Sequence, residues 1–241
     1  MKALERTTVS PSTESFHKSE YPDHWERYEF AANFVEGKKV IDIACGPGYG
    51  TALLSKKSGQ TTIGLDVDEE VVQTATKNYG HIAKFQKADG YNWPIESNSF
   101  DVVVSLETFE HLDNPEAFLQ EIFRVLKPTG SLIISTPCNE TETRFHPPNP
   151  FHLREYNWIE MGEYISKYFT IQNRYSQVSK IGKINAKINN SLFASIKSKI
   201  PKSIKHLLLN SLTATSLKEG EIVAGYKENL GVQLLVASKN S

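Results

Sequence analysis

Residues 40–50 combine a carboxylate within an apolar run with three glycines at alternate positions, Val-Ile-Asp-Ile-Ala-Cys-Gly-Pro-Gly-Tyr-Gly. Glycine lets the backbone approach a ligand closely, and the N–H groups at the start of the next helix attract an anion. The G-x-G-x-G spacing differs from the G-x-G-x-x-G of dinucleotide sites. A buried Asp42 also needs a cation or strong donors, because an unpaired carboxylate is costly inside a protein. We therefore expect a nucleoside ligand carrying an ammonium group, in contact with Asp42, Gly46 and Gly48.

A second carboxylate, Asp66, follows Gly46 by twenty residues and ends the apolar run Thr62–Asp66, which we interpret as a strand. An acid at the end of the second strand of a nucleotide-binding fold accepts the hydroxyls of a ribose. The alternative from the residues alone is a tight strand-to-helix turn that binds no ligand. The two carboxylates together favour an amino-acid nucleoside.

A third chemical group follows the apolar run Ser99–Leu106, where residues 107–112 read Glu-Thr-Phe-Glu-His-Leu. Ligands of open parallel sheets lie beyond the carboxyl ends of the strands, so these side chains should face the ligand. His111 is our first candidate for a general base, because histidine needs little tuning to accept a proton near pH 7. His152 is the second candidate. A histidine that only shapes the pocket is the alternative for His111.

The elements that must position these groups alternate between strands and helices, which predicts an α/β fold with a largely parallel sheet. Helical spacing begins at Tyr21, and a helix from Pro115 to Leu126 begins with proline at its first position. We further expect helices over 68–80 and 158–168 and strands over 40–43, 83–88, 131–136, 169–175 and 232–237.

This order of motifs resembles the class I S-adenosylmethionine-dependent methyltransferases over most of the chain. The resemblance rests on the glycine turn, on Asp66, on Asp89-Gly90 after the third strand, and on Leu-Lys-Pro-Thr-Gly at 126–130. It implies a Rossmann-like, seven-stranded, mostly parallel sheet with an antiparallel last strand and helices on both faces. It also implies S-adenosylmethionine as cofactor, S-adenosylhomocysteine as product, and a transferase activity.

The resemblance implies roles for several cofactor contacts. Asp89 occupies the position that contacts the adenine amino group, and Tyr28 lies on a helix that covers the cofactor. Its ring would offer the sulfonium a cation–π contact of about 0.5–2 kcal/mol; plain core packing is the alternative. The full set of expected cofactor residues is Tyr28, Asp42, Ala44, Gly46, Gly48, Tyr49, Asp66, Val67, Asp89, Gly90 and Leu106.

The irregular segment 149–156, Asn-Pro-Phe-His-Leu-Arg-Glu-Tyr, resembles one in methyltransferases encoded with enzymes of sugar and cell-surface glycan biosynthesis. The Arg27-Tyr28 pair and the Glu-Thr-x-Glu-His motif resemble that subgroup too. The resemblance implies O-methylation of a sugar hydroxyl on a nucleotide- or lipid-linked acceptor, with His111, His152 and Glu110 as catalytic candidates. N- or C-methylation of a small metabolite or lipid stays open, as does a non-catalytic cofactor-binding partner of a glycan-assembly complex.

Glu107-x-x-Glu110-His111 with a later histidine also resembles the metal site of small-RNA 2′-O-methyltransferases. Oxygen-rich ligands with one or two imidazoles would suit Mg²⁺ or Mn²⁺. Leu112, however, stands where the second histidine of the usual pair would be. We therefore favour a site without metal and expect activity to persist in excess chelator.

Composition bounds the remaining expectations. The chain has 241 residues, a net charge of −1 and two cysteines, which indicates one α/β core, no global attraction to nucleic acid and no disulfide framework. We divide it into a polar tail or lid (1–20), a cofactor-binding core (21–175), a lysine-rich helical insertion (176–220) and a last hairpin strand (221–241). Ser176–Lys218 holds eight lysines and no acid. It predicts an acceptor lid or, through 180–205, peripheral contact with the inner face of a membrane; we otherwise expect a cytoplasmic protein, and leave the oligomeric state open.

Overall fold

The computed structural model describes residues 18, 21–139, 143–145, 147–178, 222–225 and 231–240. Within these residues nine strands form one sheet. The strands are β1 Val40–Ile43, β2 Ile63–Asp66, β3 Lys84–Lys87, β4 Phe100–Leu106, β5 Leu126–Asn139, β6 Tyr156–Asn157, β7 Phe169–Val178, β8 Ile222–Ala224 and β9 Gly231–Lys239.

The described helices are α1 Pro22–Ala32, α2 Tyr49–Ser58, α3 Glu69–Tyr79, α4 Pro115–Val125 and α5 Trp158–Ser166, with a 3₁₀ turn at Phe109–His111. Three of them begin at a side-chain cap that accepts N–H groups of the first turn. Asp68 accepts from two N–H groups of α3, Asn114 from Ala117 of α4, and Asn157 from two N–H groups of α5. Each cap satisfies donors that the helix itself leaves without a partner.

The sheet has the strand order β3-β2-β1-β4-β5-β9-β7-β8, and β6 pairs with the end of β5. The ladders from β3 to β5 are parallel, whereas β9 runs antiparallel to both β5 and β7. The parallel strands therefore end at one edge of the sheet. That edge is where the predicted ligand-binding side chains come together.

Two apolar layers cover the two faces of the sheet. On one face α4 and α5 pack on strand residues that include Ile41, Ile43 and Val103. On the other, α1 and α2 pack on residues that include Val40 and Val102. Because side chains alternate along a strand, Asp42 shares the α1–α2 face with Val40, and this determines which hydroxyls can reach it.

The predicted α/β fold is confirmed, with two additions and a longer fifth strand. β6 and β8 were not predicted, since each is only two or three residues long. In the β4–β5 ladder, Leu126 pairs with Phe100 and Ser131 pairs with Val102. The four residues 127–130 of β5 therefore face a single residue of β4, Asp101. The turn expected at 126–130 is thus a bulge within β5. β7 extends to Val178, three residues into the segment expected to be an insertion.

The helical insertion itself falls almost wholly on residues 179–221, and the expected tail on 1–20, both largely outside the described part of the chain. No helix within the described ranges is long and apolar enough to cross a membrane.

Candidate functional site

A cavity of about 940 Å³ opens at the carboxyl ends of β1, β2 and β4. Its wall is formed by the turn after β1, the ends of β2 and β4, the start of α1 and the segment around His152. The volume lies near the upper limit of small-molecule sites, which span about 300–1,000 Å³. Eight of the eleven expected cofactor residues line it: Ala44, Gly46, Tyr49, Asp66, Val67, Asp89, Gly90 and Leu106.

Asp66 fixes the turn after β1 as well as lining the cavity. Its Oδ2 accepts the N–H of Gly46 at 2.9 Å, and its Oδ1 accepts the N–H of Asp68 at 3.0 Å. Gly46 has φ +54°, a left-handed conformation that glycine adopts without a Cβ penalty. Burial raises the pKa of the Asp66 carboxyl above its ordinary value. Asp66 therefore lies within reach of both the ligand space and the loop that closes around it.

Asp89 and Val67 extend the wall from Asp66. The Asp89 Oδ1 accepts the N–H groups of Tyr91 and Asn92, at 2.8 and 2.7 Å, and so holds the turn after β3 open to the cavity. Val67 is 49% exposed, which is high for a valine directly after a buried strand. An exposed apolar side chain between two carboxylates suits the flat face of a base.

Gly48 lies against α3 rather than the cavity, contrary to our expectation that it contacts the cofactor. A Cβ on Gly48 would lie 2.8 Å from the Ala75 Cβ and 2.8 Å from the Phe85 ring. The absence of a side chain there lets α2 and α3 approach each other. Of the three glycines in the turn, only Gly46 lines the cavity.

The expected ligand contacts of Asp42 and Tyr28 also differ in the structure, because neither residue lines the cavity. The Tyr28 hydroxyl donates to Asp42 at 3.2 Å, and the Thr51 hydroxyl donates to its Oδ2 at 2.6 Å. The Tyr28 ring, 2% exposed, fills the space beside Gly50, where a Cβ would lie 2.1 Å from its Cζ. Burial raises the pKa of Asp42 to about 7. Two hydroxyls thus supply the donors that we had expected from a ligand ammonium group.

The start of α1 instead presents residues that the sequence analysis did not assign to the site: Tyr21, Asp23, His24 and Arg27. His24 Nδ1 lies 2.5 Å from the Tyr49 hydroxyl. His24 and Arg27 are one helical turn apart, so the spacing alone allowed them to share a face. What the sequence did not show is which face of α1 meets the cavity.

Arg27 is a buried cation on the cavity wall, 6% exposed. Its Nη1 donates to the Gln177 Oε1 at 2.5 Å, and its Nη2 lies 3.7 Å from the Glu107 Oε2. Its Nε donor has no hydrogen-bond partner among the described residues. A buried guanidinium with a donor to spare matches an anionic group of a ligand, such as a carboxylate.

Three titratable side chains on the cavity wall lie close together, and we call them the Glu110–His111–His152 cluster. The Glu110 carboxyl is 1% exposed and accepts the Thr136 hydroxyl at 2.9 Å. His111 Nε2 lies 3.8 Å from its Oε1, and the two histidine rings are 5.1 Å apart between centroids. Burial, helped by the charge of Glu107, raises the pKa of Glu110 well above its ordinary value. The sequence predicted all three residues as catalytic candidates, and the structure brings them together.

Backbone hydrogen bonds hold the segment around His152 against the 3₁₀ turn. The Glu110 carbonyl accepts the N–H groups of Leu153 and Arg154, at 2.9 and 3.2 Å. His111 Nδ1 lies 3.0 Å from the Phe151 carbonyl oxygen, which can only accept, so Nδ1 carries the proton. The cluster is therefore built from two chain segments that are joined directly to each other.

Glu107 lines the cavity but points away from this cluster. Its φ is +53°, its Oε1 accepts the Ser135 hydroxyl at 2.7 Å, and its Oε2 faces Arg27. Among the described residues, Glu110, His111 and His152 form a group whose ligand atoms lie within 4.8 Å of one another. Glu107 is not part of that group.

Comparison with known proteins finds a family that matches part of the chain. Residues 41–134 match the family described as "Methyltransferase domain". A probable S-adenosylmethionine-dependent methyltransferase of Mycolicibacterium smegmatis is 36% identical over 138 residues, 56% of this chain and 53% of that protein. Tocopherol O-methyltransferase of Arabidopsis thaliana is 36% identical over 107 residues, 42% of this chain and 31% of that protein. The chain spans about half the length, or less, of these curated relatives.

Solved structures extend the likeness of fold. The crystal structure of the 4+2 cyclase SpnF has a TM-score of 0.62 at 19% identity, over 89% of this chain and 81% of that one. This likeness concerns the fold alone. None of the three relatives is named for glycan biosynthesis, so that subgroup stays a prediction. Residues 41–134 are thus similar to a methyltransferase domain, and residues around them are similar to a probable S-adenosylmethionine-dependent methyltransferase.

Proposed function

We propose that the chain is an S-adenosylmethionine-dependent methyltransferase that methylates a hydroxyl of a sugar or glycan-linked small acceptor. One observation carries the proposal: a single cavity joins the eight expected cofactor residues to the Glu110–His111–His152 cluster. A methyl donor held by the expected cofactor residues would thus share one cavity with side chains that can activate a nucleophile.

The residues present fit the cofactor. Asp66 would accept the ribose hydroxyls, Asp89 the adenine amino group, and the spare Nε of Arg27 would donate to the carboxylate of the methionine end. Bound there, the cofactor supplies an electrophilic methyl group on a positively charged sulfur. The role of the protein is alignment, since orienting the reactants can contribute about 7–11 kcal/mol.

In the transfer, the acceptor oxygen would form a bond to the methyl carbon as the carbon–sulfur bond broke, with its electron pair left on sulfur. The hydroxyl proton must pass to a base, which adds roughly 10²–10⁴-fold. In a cluster without a bound cation, His111 suits this role, because its Nδ1 proton is donated to Phe151 and Nε2 is then the basic nitrogen. His152 suits it less, since its Nδ1 lies 2.8 Å from Glu155 and its Nε2 3.0 Å from the Asn149 side-chain nitrogen.

Polar side chains on the cavity wall favour a hydroxylated substrate. Besides the cluster, the cavity is lined by Tyr21, Asp23, His24 and Asn149. A hydroxylated acceptor can exchange hydrogen bonds with such side chains, whereas an apolar acceptor cannot.

The test measures transfer of a labelled methyl group from S-adenosylmethionine to a panel of nucleotide sugars, free glycosides and small amines. We expect label in a hydroxylated acceptor. His111→Gln should lower turnover by about 10²-fold or more with unchanged cofactor affinity. His81→Gln, an exposed histidine outside the cavity, is the matched control and should behave as wild type.

Two results would contradict the proposal. Label recovered only on nitrogen or carbon would favour N- or C-methylation. Tight binding of S-adenosylhomocysteine with no transfer to any acceptor would favour a non-catalytic cofactor-binding partner.

A further inference from the structure

We propose that Glu110, His111 and His152 bind a divalent first-row transition-metal ion on the acceptor wall of the cavity. The inference reverses our expectation from the sequence, which favoured a site without metal because Leu112 replaces a neighbouring histidine. In the structure the second imidazole comes from His152, forty-one residues further along the chain. The binding site stands by itself, while its role in activating the acceptor rests on the proposed function.

The positions of the ligand atoms are close to those needed around an ion. Metal bonds of about 2.0–2.2 Å to nitrogen and oxygen place neighbouring ligand atoms roughly 3–4 Å apart. Glu110 Oε1 and His111 Nε2 are already 3.8 Å apart, and all three groups have ligand atoms within 4.8 Å. Side-chain rotations that move the ligand atoms by about 1 Å would complete the site.

The Nδ1 atom of each histidine also has a hydrogen-bond acceptor, as is typical of metal ligands. A metal-bound imidazole almost always donates its other N–H to a carbonyl or carboxylate, which fixes its tautomer and ring orientation. His111 Nδ1 lies 3.0 Å from the Phe151 carbonyl oxygen, and His152 Nδ1 lies 2.8 Å from the Glu155 Oε1. This arrangement leaves Nε2 of each ring as the nitrogen suited to a metal, and the His152 contact with Asn149 would be exchanged for the ion.

Burial of Glu110 gives the cation a further reason to bind. The carboxyl is 1% exposed, and the described hydrogen bond to it comes from the Thr136 hydroxyl, on Oε2. The nearby guanidinium of Arg27 faces Glu107 rather than Glu110. A divalent ion on Oε1 would supply the opposite charge that a buried carboxylate requires.

The donor set indicates which ion binds. Two imidazoles and one carboxylate suit Zn²⁺, Fe²⁺, Co²⁺ or Ni²⁺ better than Mg²⁺, which prefers oxygen ligands. Three protein ligands leave at least one coordination position open towards the cavity, as in catalytic zinc sites. An ion there would make an acceptor hydroxyl in that position more acidic, and its proton would pass to solvent because both imidazoles would hold the ion. Metal activation and a His111 base are therefore alternative uses of one cluster.

The experiment uses untagged full-length protein, dialysed against chelator and titrated with Zn²⁺ alone or Co²⁺ alone, with Mg²⁺ for comparison. We expect one Zn²⁺ per chain by calorimetry and a visible absorption band from bound Co²⁺. His152→Gln and Glu110→Gln should each weaken binding about tenfold or more, and Glu155→Gln, which changes the carboxylate behind His152 and its ion pair with Arg144, by about tenfold. His81→Gln should bind as wild type does.

Circular dichroism checks that each variant folds, and if Glu110→Gln does not, His152→Gln alone decides the matter. Wild-type protein that takes up no Zn²⁺, or His152→Gln with unchanged affinity, overturns the site. Methyl transfer that is unaffected by chelator overturns its role in activation and leaves the proposed function standing. One Zn²⁺ that depends on the cluster, with no methyl transfer to any acceptor, retains the site and overturns the proposed function.

Discussion

Replacing Asp42 with asparagine should remove a specific pH dependence from the stability of the ligand-free protein. Burial raises the pKa of Asp42 from 3.8 to about 7, against the opposing effect of the Thr51 and Tyr28 hydroxyls. Between these two values the folded protein binds a proton that the unfolded chain does not. Stability from this group is therefore complete below the unfolded pKa and is lost as the pH rises through the folded one.

The magnitude follows from the width of that window. Between about pH 5 and about pH 8, Asp42 is protonated in the folded state alone over roughly two pH units. Each of these units lowers the free energy of unfolding by about 1.36 kcal/mol. Wild type should therefore lose roughly 2–3 kcal/mol more than Asp42→Asn over this range. Urea unfolding of both proteins at several pH values measures the difference, and groups common to both cancel. The quantity to follow is the free energy of unfolding of wild type minus that of Asp42→Asn. If it stays constant or rises as the pH rises, the two hydroxyls keep Asp42 ionised and the reasoning is refuted.

The remaining predictions concern the cofactor, the glycine turn and the lysine-rich segment. Asp66→Ala should weaken binding of S-adenosylmethionine or S-adenosylhomocysteine by about 1.5–3 kcal/mol, and unchanged affinity by calorimetry would remove the ribose role. Gly50→Ala should lower the free energy of unfolding by about 1–3 kcal/mol, because its Cβ would clash with Tyr28, whereas Gly90→Ala has room; equal denaturation curves would contradict this. Replacing four lysines with glutamine should leave cofactor affinity intact and weaken binding of the acceptor or of liposomes. Wild-type values for both acceptor binding and liposome binding would favour a solvated lid. These lysines, all outside the described residues, are Lys197, Lys199, Lys202 and Lys205.

That Asp66 and Asp89 would line one cavity could be predicted from the sequence because strand ends are local features. Asp66 ends an apolar run and Asp89 follows the strand expected over 83–88, and parallel strands bring their carboxyl ends to one edge. The orientation of α1 could not be predicted in the same way. Helical spacing placed Tyr28 and Arg27 on that helix, but the space beside Gly50 turns Tyr28 inward and leaves Arg27 on the cavity wall.

The acceptor wall was predicted as a set of candidates and not as an arrangement. His152 lies in an irregular segment whose position depends on bonds to the Glu110 carbonyl, and no periodicity in the sequence reports such contacts. The sequence also contains no sign of where the Glu107 side chain points. Its φ of +53° and its bond to Ser135 arise from the packing of β5 beside β4.

The position of β9 has a consequence for how the molecule is assembled. This strand lies between β5 and β7, so it alone joins the pair β7–β8 to the parallel part of the sheet in the described region. Its partner Ile133 in β5 precedes Val236 by about a hundred residues, and closing so long a loop is slow. During synthesis the cofactor wall can therefore form before β9 emerges, whereas β7 must wait for β9 to join that sheet. Folding would then proceed from the parallel strands towards β7 and β8.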